Sequence, residues 1–412
     1  MAEISVNESF LIDRARDYAI LSHLAYAKWS KVGNEWQPDE GYANIWRKIS
    51  GRGYVVLEYM PNTGTGYSGT LFEYTDENTN AVTRILVNRG SELRLENFDW
   101  RDLHAGINIW LDRCVPDQFC SMIQFIEQLK SDAAIKLTQF DVAGHSLGGC
   151  LSQMAKAAYA SDVQQTYTYN APGAASLMNA YEKVESNIPG TVLVRYWHVD
   201  INSGFGQWRY CEWDAAVWEK YETFFAQRQA VDANNVYNIS GRDGIVFAAN
   251  IGKDIGPEVF IKGTSHSIDA VANQIGTSPL YIDSRVPVTV IGSSRDEYLF
   301  GDYDSGHYSG NRINPVTLVG GYGADLLKGS DGDDWLYGDL HATLTDQEKV
   351  KTGNVPVRPG NDTLIGGKGD DHLYGGPGDD IYYFHALDGN DTIRDAEGNN
   401  TIIYKSNGKS RI

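Results

Sequence analysis

The sequence predicts an α/β protein with a mostly parallel sheet, followed by a second domain built from short repeats. Two observations lead to this prediction. Predicted strands and helices alternate through the first 290 residues, and the composition changes sharply near residue 290, since residues 291–412 hold 21 of the 43 glycines. A chain of 412 residues also exceeds the usual size of one hydrophobic core, so we expect two domains, at 1–290 and 291–412.

The elements of the first domain are predicted from hydrophobic periodicity and turn residues. Apolar residues at helical spacing indicate helices, and alternating or continuous short apolar runs indicate strands. The expected helices span 10–27, 119–129 and 151–160, and the expected strands lie within 69–88, 137–144, 166–173 and 191–200. Strands that alternate with helices are typical of a parallel sheet covered on both faces.

The acidic composition narrows the classes of partner. The chain has 54 acidic against 35 basic residues, a net charge of −19. Nucleic acids require a basic surface, so they are not expected partners, and electrostatic attraction to anionic lipid is expected to be weak. No run of about 18 apolar residues occurs in the sequence, so we expect no membrane-spanning helix.

Neither the cysteines nor the first residues define the compartment. Cys114, Cys120, Cys150 and Cys211 match no zinc-binding spacing. Cys114 and Cys120 would bridge a short loop only in an oxidising compartment. Residues 1–17 lack a basic segment followed by an apolar one, so a conventional signal peptide is not expected.

A nine-residue unit repeats in the second domain. The units share one register, with a partial unit at 359–365 and a fainter one at 388–393; the full units are GGYGADLLK (320–328), GSDGDDWLY (329–337), GGKGDDHLY (366–374) and GGPGDDIYY (375–383). This pattern is typical of calcium-binding parallel β-roll repeats, in which glycines form tight turns and one apolar residue per unit faces the interior. The predicted interior residues are Leu327, Leu336, Leu364, Leu373 and Tyr382.

One aspartate per unit is the predicted calcium ligand. Calcium takes six to eight oxygen ligands, so adjacent turns are expected to share each ion. The metal ligands that we predict are Asp325, Asp334, Asp362, Asp371, Asp380 and Asp391. A related unit at 292–300 has Arg295 in place of a turn glycine and Glu297 in place of the aspartate, so it is a poor candidate for a metal site.

Ser146 is the candidate nucleophile. It lies in the only G-x-S-x-G of the chain, residues 144–148, where a predicted strand ends and a predicted helix begins. This is the context of a nucleophile elbow, a strained turn that holds the serine hydroxyl above the sheet. Side chains at Gly144 or Gly148 are expected to collide with neighbouring backbone.

A serine needs a base and an orienting acid to react, and in this architecture both follow the serine along the chain. His266 lies in a polar segment between glycine-containing turns and is the predicted base, with His198 as the alternative. Asp200 directly follows a predicted strand and is the predicted acid. The competing acids are Asp214, Asp232, Asp243 and Asp254.

Two hydrogen-bond donors are predicted for the oxyanion that forms during acyl transfer. One is the backbone N–H of Leu147, directly after the serine. The other is expected from the loop after the strand at 84–88, where Ser91 offers an amide and a hydroxyl.

Several motifs resemble those of the fungal-type (class 3) lipases, an α/β-hydrolase family. Their order along the chain is the order in that family: VNRGSE (87–92), FDVAGHSLGG (140–149), YNAPG (169–173), HVD (198–200) and SHSID (265–269). The resemblance covers residues 10–275 and implies an α/β-hydrolase lipase domain that cleaves acylglycerol or phospholipid esters at a lipid–water interface. It also implies a triad of Ser146, Asp200 and His266, and an oxyanion hole at Ser91 and Leu147.

The same resemblance implies a lid at 95–113, whose apolar residues ordinary packing would explain equally well. The repeats resemble the RTX repeats of proteins exported by type I secretion. This resemblance implies a secreted, extracellular protein with calcium as its cofactor and the type I secretion machinery as a partner.

The sequence therefore predicts a secreted, calcium-stabilised serine carboxylic ester hydrolase, either a triacylglycerol lipase or a phospholipase A1. Two alternatives stay open. One is another serine hydrolase, such as a thioesterase or a peptidase, because the triad itself does not choose the leaving group. The other is a non-catalytic, calcium-dependent adhesive module.

Overall fold

The computed structural model describes residues 10–62, 65–77, 79–90, 118–174, 181–184, 188–199, 206–227, 235–241, 258–261, 267–283, 288–301, 315–339, 360–406 and 409–411. The helices are α1 (Ile12–Leu24), α2 (Ala43–Ser50), α3 (118–131), α4 (Leu147–Ala158), α5 (Ala215–Gln227) and α6 (Ile268–Gln274), with a short 3-10 turn at Glu40–Tyr42.

The strands of the first part of the chain are β1 (Phe10–Leu11), β2 (Trp29–Val32), β3 (Glu35–Pro38), β4 (Tyr54–Met60), β5 (Gly69–Thr75), β6 (Val82–Asn88), β7 (Phe140–His145), β8 (Val163–Tyr169), β9 (Tyr181–Val184), β10 (Thr191–Val199), β11 (Gly206–Asp214), β12 (Val236–Gly241), β13 (Glu258–Ile261) and β14 (Leu280–Asp283). The strands that follow are β15 (Val288–Ile291), β16 (Tyr298–Phe300), β17 (Val316–Gly321), β18 (Leu326–Lys328), β19 (Trp335–Asp339), β20 (Thr363–Ile365), β21 (His372–Tyr374), β22 (Ile381–His385), β23 (Thr392–Ile393), β24 (Thr401–Ser406) and β25 (Lys409–Arg411).

The predicted parallel sheet is present. Strands β6, β7, β8, β12 and β13 are parallel neighbours in that order. Antiparallel β4 and β5 extend the sheet beyond β6, and antiparallel β14 extends it beyond β13. Every residue of β7 is buried, as expected for a central parallel strand covered on both faces.

Helices cover both faces of this sheet. Adjacent residues of β7 point to opposite sides: Val142 joins a cluster formed with α3, α4 and α5, and Ala143 joins a cluster formed with α1, α2 and α6. This alternation follows from the two-residue period of a strand. The second cluster continues into the repeats, where it includes Leu364 and Leu373.

Strand pairing crosses the predicted domain boundary at residue 290. Strand β15 spans that residue and pairs in parallel with β1 on one side and β17 on the other. Strand β14 pairs in parallel with β16. The division into domains at 290 stays a prediction, and the described strands on its two sides share hydrogen bonds.

In the repeats the chain alternates between two parallel sheets. Strands β17, β19, β21 and β23 form one sheet, and β16, β18, β20, β22 and β24 form the other. The five predicted interior residues are at most 1% exposed, which confirms the inward position of each unit. Turn glycines adopt positive φ, for example 111° at Gly367 and 120° at Gly369, a conformation that favours glycine.

Within the described part of the chain, no helix is both long enough and apolar enough to cross a bilayer.

Candidate functional site

Ser146 lies at a sharp junction between β7 and α4. Its backbone has φ 56° and ψ −128°, a conformation that costs free energy for a residue with a side chain. The Ser146 N–H donates a hydrogen bond to the carbonyl of Tyr169 in β8 at 2.9 Å, and the Ser146 carbonyl accepts one from Gly149 N–H at 2.9 Å. The strained turn is thus held by the neighbouring strand and by the first turn of the helix.

The two motif glycines have no room for a side chain. A Cβ on Gly144 would lie 2.3 Å from the carbonyl carbon and oxygen of Gly148, and a Cβ on Gly148 would lie 2.0 Å from the carbonyl oxygen of Asn88. Both distances are far shorter than a van der Waals contact. The expected collision with neighbouring backbone is therefore confirmed at both positions.

The end of β6 reaches the serine. A Cβ on Gly90 would lie 3.3 Å from Ser146 Cβ and 2.5 Å from the carbonyl oxygen of His145. Leu147 is buried and begins α4, so its N–H has no acceptor within the helix. Ser91, the other predicted oxyanion donor, lies outside the described residues, as does the predicted lid at 95–113.

Asn88 is a site residue whose role the sequence did not reveal. It is fully buried; its Oδ1 accepts a hydrogen bond from the Tyr67 hydroxyl at 3.0 Å, and its Nδ2 donates to Ser152 Oγ at 3.0 Å. Ser152 Oγ donates in turn to the carbonyl of Gly148 at 2.8 Å. This chain of hydrogen bonds ties the end of β6 to the first turn of α4.

The end of α1 connects the elbow with α6. The Tyr26 hydroxyl and His145 Nδ1 form a hydrogen bond of 2.9 Å beside Ser146, and one helical turn earlier His23 Nδ1 contacts the carboxylate of Asp269 in α6 at 2.6 Å. Burial lowers the pKa of His23, and the charge of Asp269 opposes that effect. His266, the predicted base, precedes α6 and lies outside the described residues.

The predicted acid also lies outside the described residues, but the strand before it is present. Asp200 directly follows β10, which pairs antiparallel with β9 and β11 instead of joining the sheet of Ser146. Strand β8 lies between β7 and β12 in the parallel sheet, and Asp243 is the first acid after β12. Asp243 is likewise outside the described residues.

The predicted calcium ligands form two ladders across the turns of the repeats. In one ladder, Asp362 Oδ1 accepts a hydrogen bond from Asp325 N–H at 2.8 Å, and Asp380 Oδ1 accepts one from Asp362 N–H at 2.7 Å. In the other, Asp371 Oδ1 accepts from Asp334 N–H at 2.8 Å, and Asp391 Oδ1 accepts from Asp371 N–H at 3.0 Å. In each of these four hydrogen bonds, the Oδ1 of one aspartate thus links its turn to the turn of the aspartate that donates.

The second carboxylate oxygen of most of these residues is buried without a hydrogen-bond partner among the described residues. This holds for Oδ2 of Asp325, Asp362, Asp371 and Asp380. The oxygens border small cradles: a Cβ on Gly320 would lie 2.2 Å from Asp325 Oδ2 and 2.5 Å from the Gly338 carbonyl oxygen of the next coil. Hard oxygens from adjacent turns around a space that excludes a side chain fit the ligand preference of calcium.

Without a cation these carboxyl groups bind protons more tightly than ordinary aspartates do. Burial raises the pKa of Asp325, Asp362 and Asp371 to about 8, and that of Asp334 and Asp380 to about 6, with neighbouring carboxylates adding to the effect. Burial also raises the pKa of Asp391. In the described residues, no three Asp, Glu, His or Cys side chains form a group that could hold a metal ion. Backbone carbonyls and water are the other oxygen ligands that calcium takes.

Glu297 in the degenerate first unit differs from these aspartates. Both of its oxygens are engaged within its own turn: one accepts a hydrogen bond from Ser293 N–H at 3.2 Å and the other accepts from the Ser293 hydroxyl. Burial raises the pKa of Glu297 to about 7. The serine hydrogen bonds satisfy this carboxyl without a metal, in agreement with its assessment as a poor metal site.

A further buried carboxylate, Asp339, is not among the metal ligands predicted from the sequence. It is 3% exposed, and its Oδ2 has no hydrogen-bond partner among the described residues. Burial, together with the charge of Asp380, raises its pKa to about 7. The available signal was an aspartate after Gly338, in a phase of the repeat that the full units fill with glycine or serine.

Comparison with known proteins identifies the repeats. Residues 317–340, 358–386 and 385–403 match the model of the RTX calcium-binding nonapeptide repeat. The repeats of this protein therefore bind calcium, as predicted. A search of curated proteins found no match to the chain.

Among solved structures, the chain is similar to the crystal structure of the extracellular lipase LipA from Serratia marcescens. The sequences are 12% identical, the match covers 88% of this chain and 80% of that chain, and the TM-score is 0.26. A superposition with so low a TM-score does not establish a common fold for the first 290 residues.

Proposed function

We propose that the protein is a secreted serine hydrolase of lipid carboxylic esters, with an α/β-hydrolase domain followed by a calcium-bound repeat domain. The observation that supports this most directly is the backbone of Ser146, with φ 56° and ψ −128° between a buried parallel strand and a helix. A strained backbone of this kind persists only where the surrounding structure enforces it. A nucleophile elbow requires this strained conformation at its serine.

In the proposed reaction, Ser146 Oγ attacks the ester carbonyl carbon while His266 takes the hydroxyl proton and Asp200 orients the imidazole. The oxyanion accepts hydrogen bonds from Leu147 N–H and from Ser91. The bond to the leaving alcohol then breaks, and His266 returns its proton to the departing oxygen. Water attacks the acyl-enzyme with His266 as base, which releases the carboxylic acid and restores the serine hydroxyl.

Two contacts support His266 as the base. The Tyr26–His145 hydrogen bond and the His23–Asp269 contact join the elbow and the first turn of α6 to the same end of α1. His266 precedes that turn by two residues in the sequence. The strand order supports Asp243 as the alternative acid to Asp200, because it follows β12, a strand of the same parallel sheet as Ser146.

Lipid esters are the proposed substrates because the motif order resembles that of the class 3 lipases. Triacylglycerol and the sn-1 ester of phospholipids are the two candidates. Calcium loading of the repeats requires a compartment in which the ion is plentiful, because metal binding stabilises the folded state more as the free ion concentration rises. An extracellular location, with type I secretion as the export route, meets this requirement.

The proposal is tested by replacing Ser146 with alanine in the full chain. Ser146→Ala should keep the circular dichroism spectrum and lose hydrolysis of emulsified triacylglycerol and of phosphatidylcholine vesicles, both measured with and without calcium. It should also lose labelling by a fluorophosphonate. Ser131→Ala removes an exposed serine of α3 and serves as the matched control, with unchanged activity and labelling.

Three results would count against the proposal. Activity that survives in Ser146→Ala would exclude this nucleophile. A thioester substrate cleaved much faster than any lipid ester would favour a thioesterase. Absence of labelling and of hydrolysis in the wild-type protein would favour the non-catalytic adhesive module.

A further inference from the structure

Asp339 places a carboxylate in a turn position that the full repeat units fill with glycine or, at Ser330, with serine. It is the last residue of β19 and follows Gly338 directly. The glycines in the same phase of neighbouring turns are Gly321, Gly367 and Gly376, all with positive φ. Asp339 does not adopt positive φ, and its side chain is 3% exposed. This turn therefore buries a charged group where those glycines have no side chain and Ser330 has an uncharged hydroxyl.

The surrounding protein does not neutralise this carboxylate. Asp339 Oδ1 accepts a long hydrogen bond from Gly360 N–H at 3.5 Å, and Oδ2 has no hydrogen-bond partner among the described residues. Within those residues, no Lys, Arg or His forms an ion pair with Asp339. Burying a carboxylate in this way costs several kcal/mol unless a cation or a proton satisfies it.

Further oxygens border the same turn. A Cβ on Gly376 in the next coil would lie 3.0 Å from Asp339 Oδ2. A Cβ on Gly338 would lie 2.0 Å from Asp362 Oδ2 and 2.4 Å from the Gly375 carbonyl oxygen. Asp362 Oδ2 is also without a partner among the described residues. Two unsatisfied carboxylate oxygens and a carbonyl oxygen thus line adjacent turns, and calcium–oxygen distances are about 2.3–2.6 Å.

We propose that Asp339 is a calcium ligand that the nonapeptide pattern does not include, in a site completed by Asp362 and by backbone carbonyls such as that of Gly375. Because the turns of the full units have glycine or serine at this position, this site has one more carboxylate than they do and binds calcium more tightly. Asp339 and Asp362 lie on opposite sides of the interval 340–359, so the bound ion also ties together the two ends of that interval. The inference is independent of the proposed hydrolase activity.

The test is a calcium titration of the full chain by calorimetry, with the number of bound ions counted by equilibrium dialysis. Asp339→Asn keeps the size of the side chain and removes its charge, and Asp339→Gly restores the residue of the other turns. We expect both variants to lose at least about tenfold in the affinity of the tightest site. Asp331→Asn removes an exposed carboxylate that pairs with Lys368 and should change the affinity less than about twofold.

Unchanged or tighter calcium binding in both Asp339 variants would overturn the proposal and indicate a carboxyl that stays protonated. Circular dichroism in saturating calcium checks the fold of each variant. If only Asp339→Asn fails to fold, Asp339→Gly decides the matter, because glycine is the residue that neighbouring turns hold. Failure of both to fold in saturating calcium would show a role independent of the ion and would also overturn the proposal.

Discussion

Without bound calcium, the repeats should become less stable as the pH rises from 5 to 7. In the metal-free protein, burial raises the pKa of Asp325, Asp362 and Asp371 to about 8, from the ordinary value of 3.8. Between these two values each side chain is protonated in the folded state and ionised in the unfolded state. The unfolded state therefore binds fewer protons, and stability falls as the pH rises through this window.

The size of the effect follows from the number of groups. One carboxyl group that differs in protonation between the two states changes the free energy of unfolding by about 1.4 kcal/mol per pH unit. Three such groups give about 4 kcal/mol per pH unit, or about 8 kcal/mol between pH 5 and 7. That is comparable to the whole stability of a domain, about 5–15 kcal/mol. Calcium has the opposite dependence, because it binds ionised carboxylates and competes with protons.

Hydrogen exchange followed by mass spectrometry measures this local stability in the full chain. Calcium is removed on a chelating resin, and the rates are corrected for the intrinsic pH dependence of amide exchange. Peptides within 360–406 should be protected at pH 5, lose protection at pH 7 and regain it when calcium is added at pH 7. Peptides from β7 and α4 serve as the internal reference. Constant or rising protection of 360–406 from pH 5 to 7 without calcium would refute the reasoning.

Three further outcomes are expected. Gly148→Ala should lower kcat/KM for ester hydrolysis roughly 100-fold, because its Cβ would lie 2.0 Å from a backbone oxygen and shift the elbow. Gly41→Ala is the control: its Cβ would meet nothing within 4 Å, so the rate should stay unchanged. Asp200→Asn should lower kcat about 10⁴-fold and Asp243→Asn should not. The reverse result would assign the role of the acid to Asp243, which follows β12. Leu373→Ala should lower the free energy of unfolding in calcium by about 2–5 kcal/mol, and an unchanged urea midpoint would contradict its role in the core.

The elbow shows how far local sequence reasoning reaches. The strand expected at 137–144 and the helix expected at 151–160 correspond to β7 and α4, and Ser146 lies between them. The helix begins earlier than expected, at Leu147, because Gly148 and Gly149 are part of it. Glycine disfavours helices, but here no other residue fits against Asn88 and Ala171. Close packing therefore overrides helix propensity at these two positions.

Other parts of the site were not predictable from local pattern. The strand at 191–200 was expected correctly as an element, and its membership of a separate antiparallel sheet was not foreseeable, because periodicity carries no information on the neighbouring strand. No local pattern marked Asn88, and its role became clear only through its hydrogen bonds to Tyr67 and Ser152. Asp339 lies in a phase that the full units fill with glycine or serine, outside the phase of the predicted ligands, so the repeat pattern did not mark it.

The sequence alone determined the nonapeptide register, the inward leucines, the calcium binding of the repeats and the strand–turn–helix around Ser146. These features depend on turn geometry and side-chain periodicity, which residues a few positions apart in the sequence determine. The tertiary structure decided that β12 lies beside β8, that β1 lies beside β15, and that Asp339 Oδ2 is buried without a partner among the described residues. Those outcomes arise from packing between segments that are far apart in the chain. Alternative strand pairings differ in long-range contacts, and a local sequence pattern carries no information about such contacts.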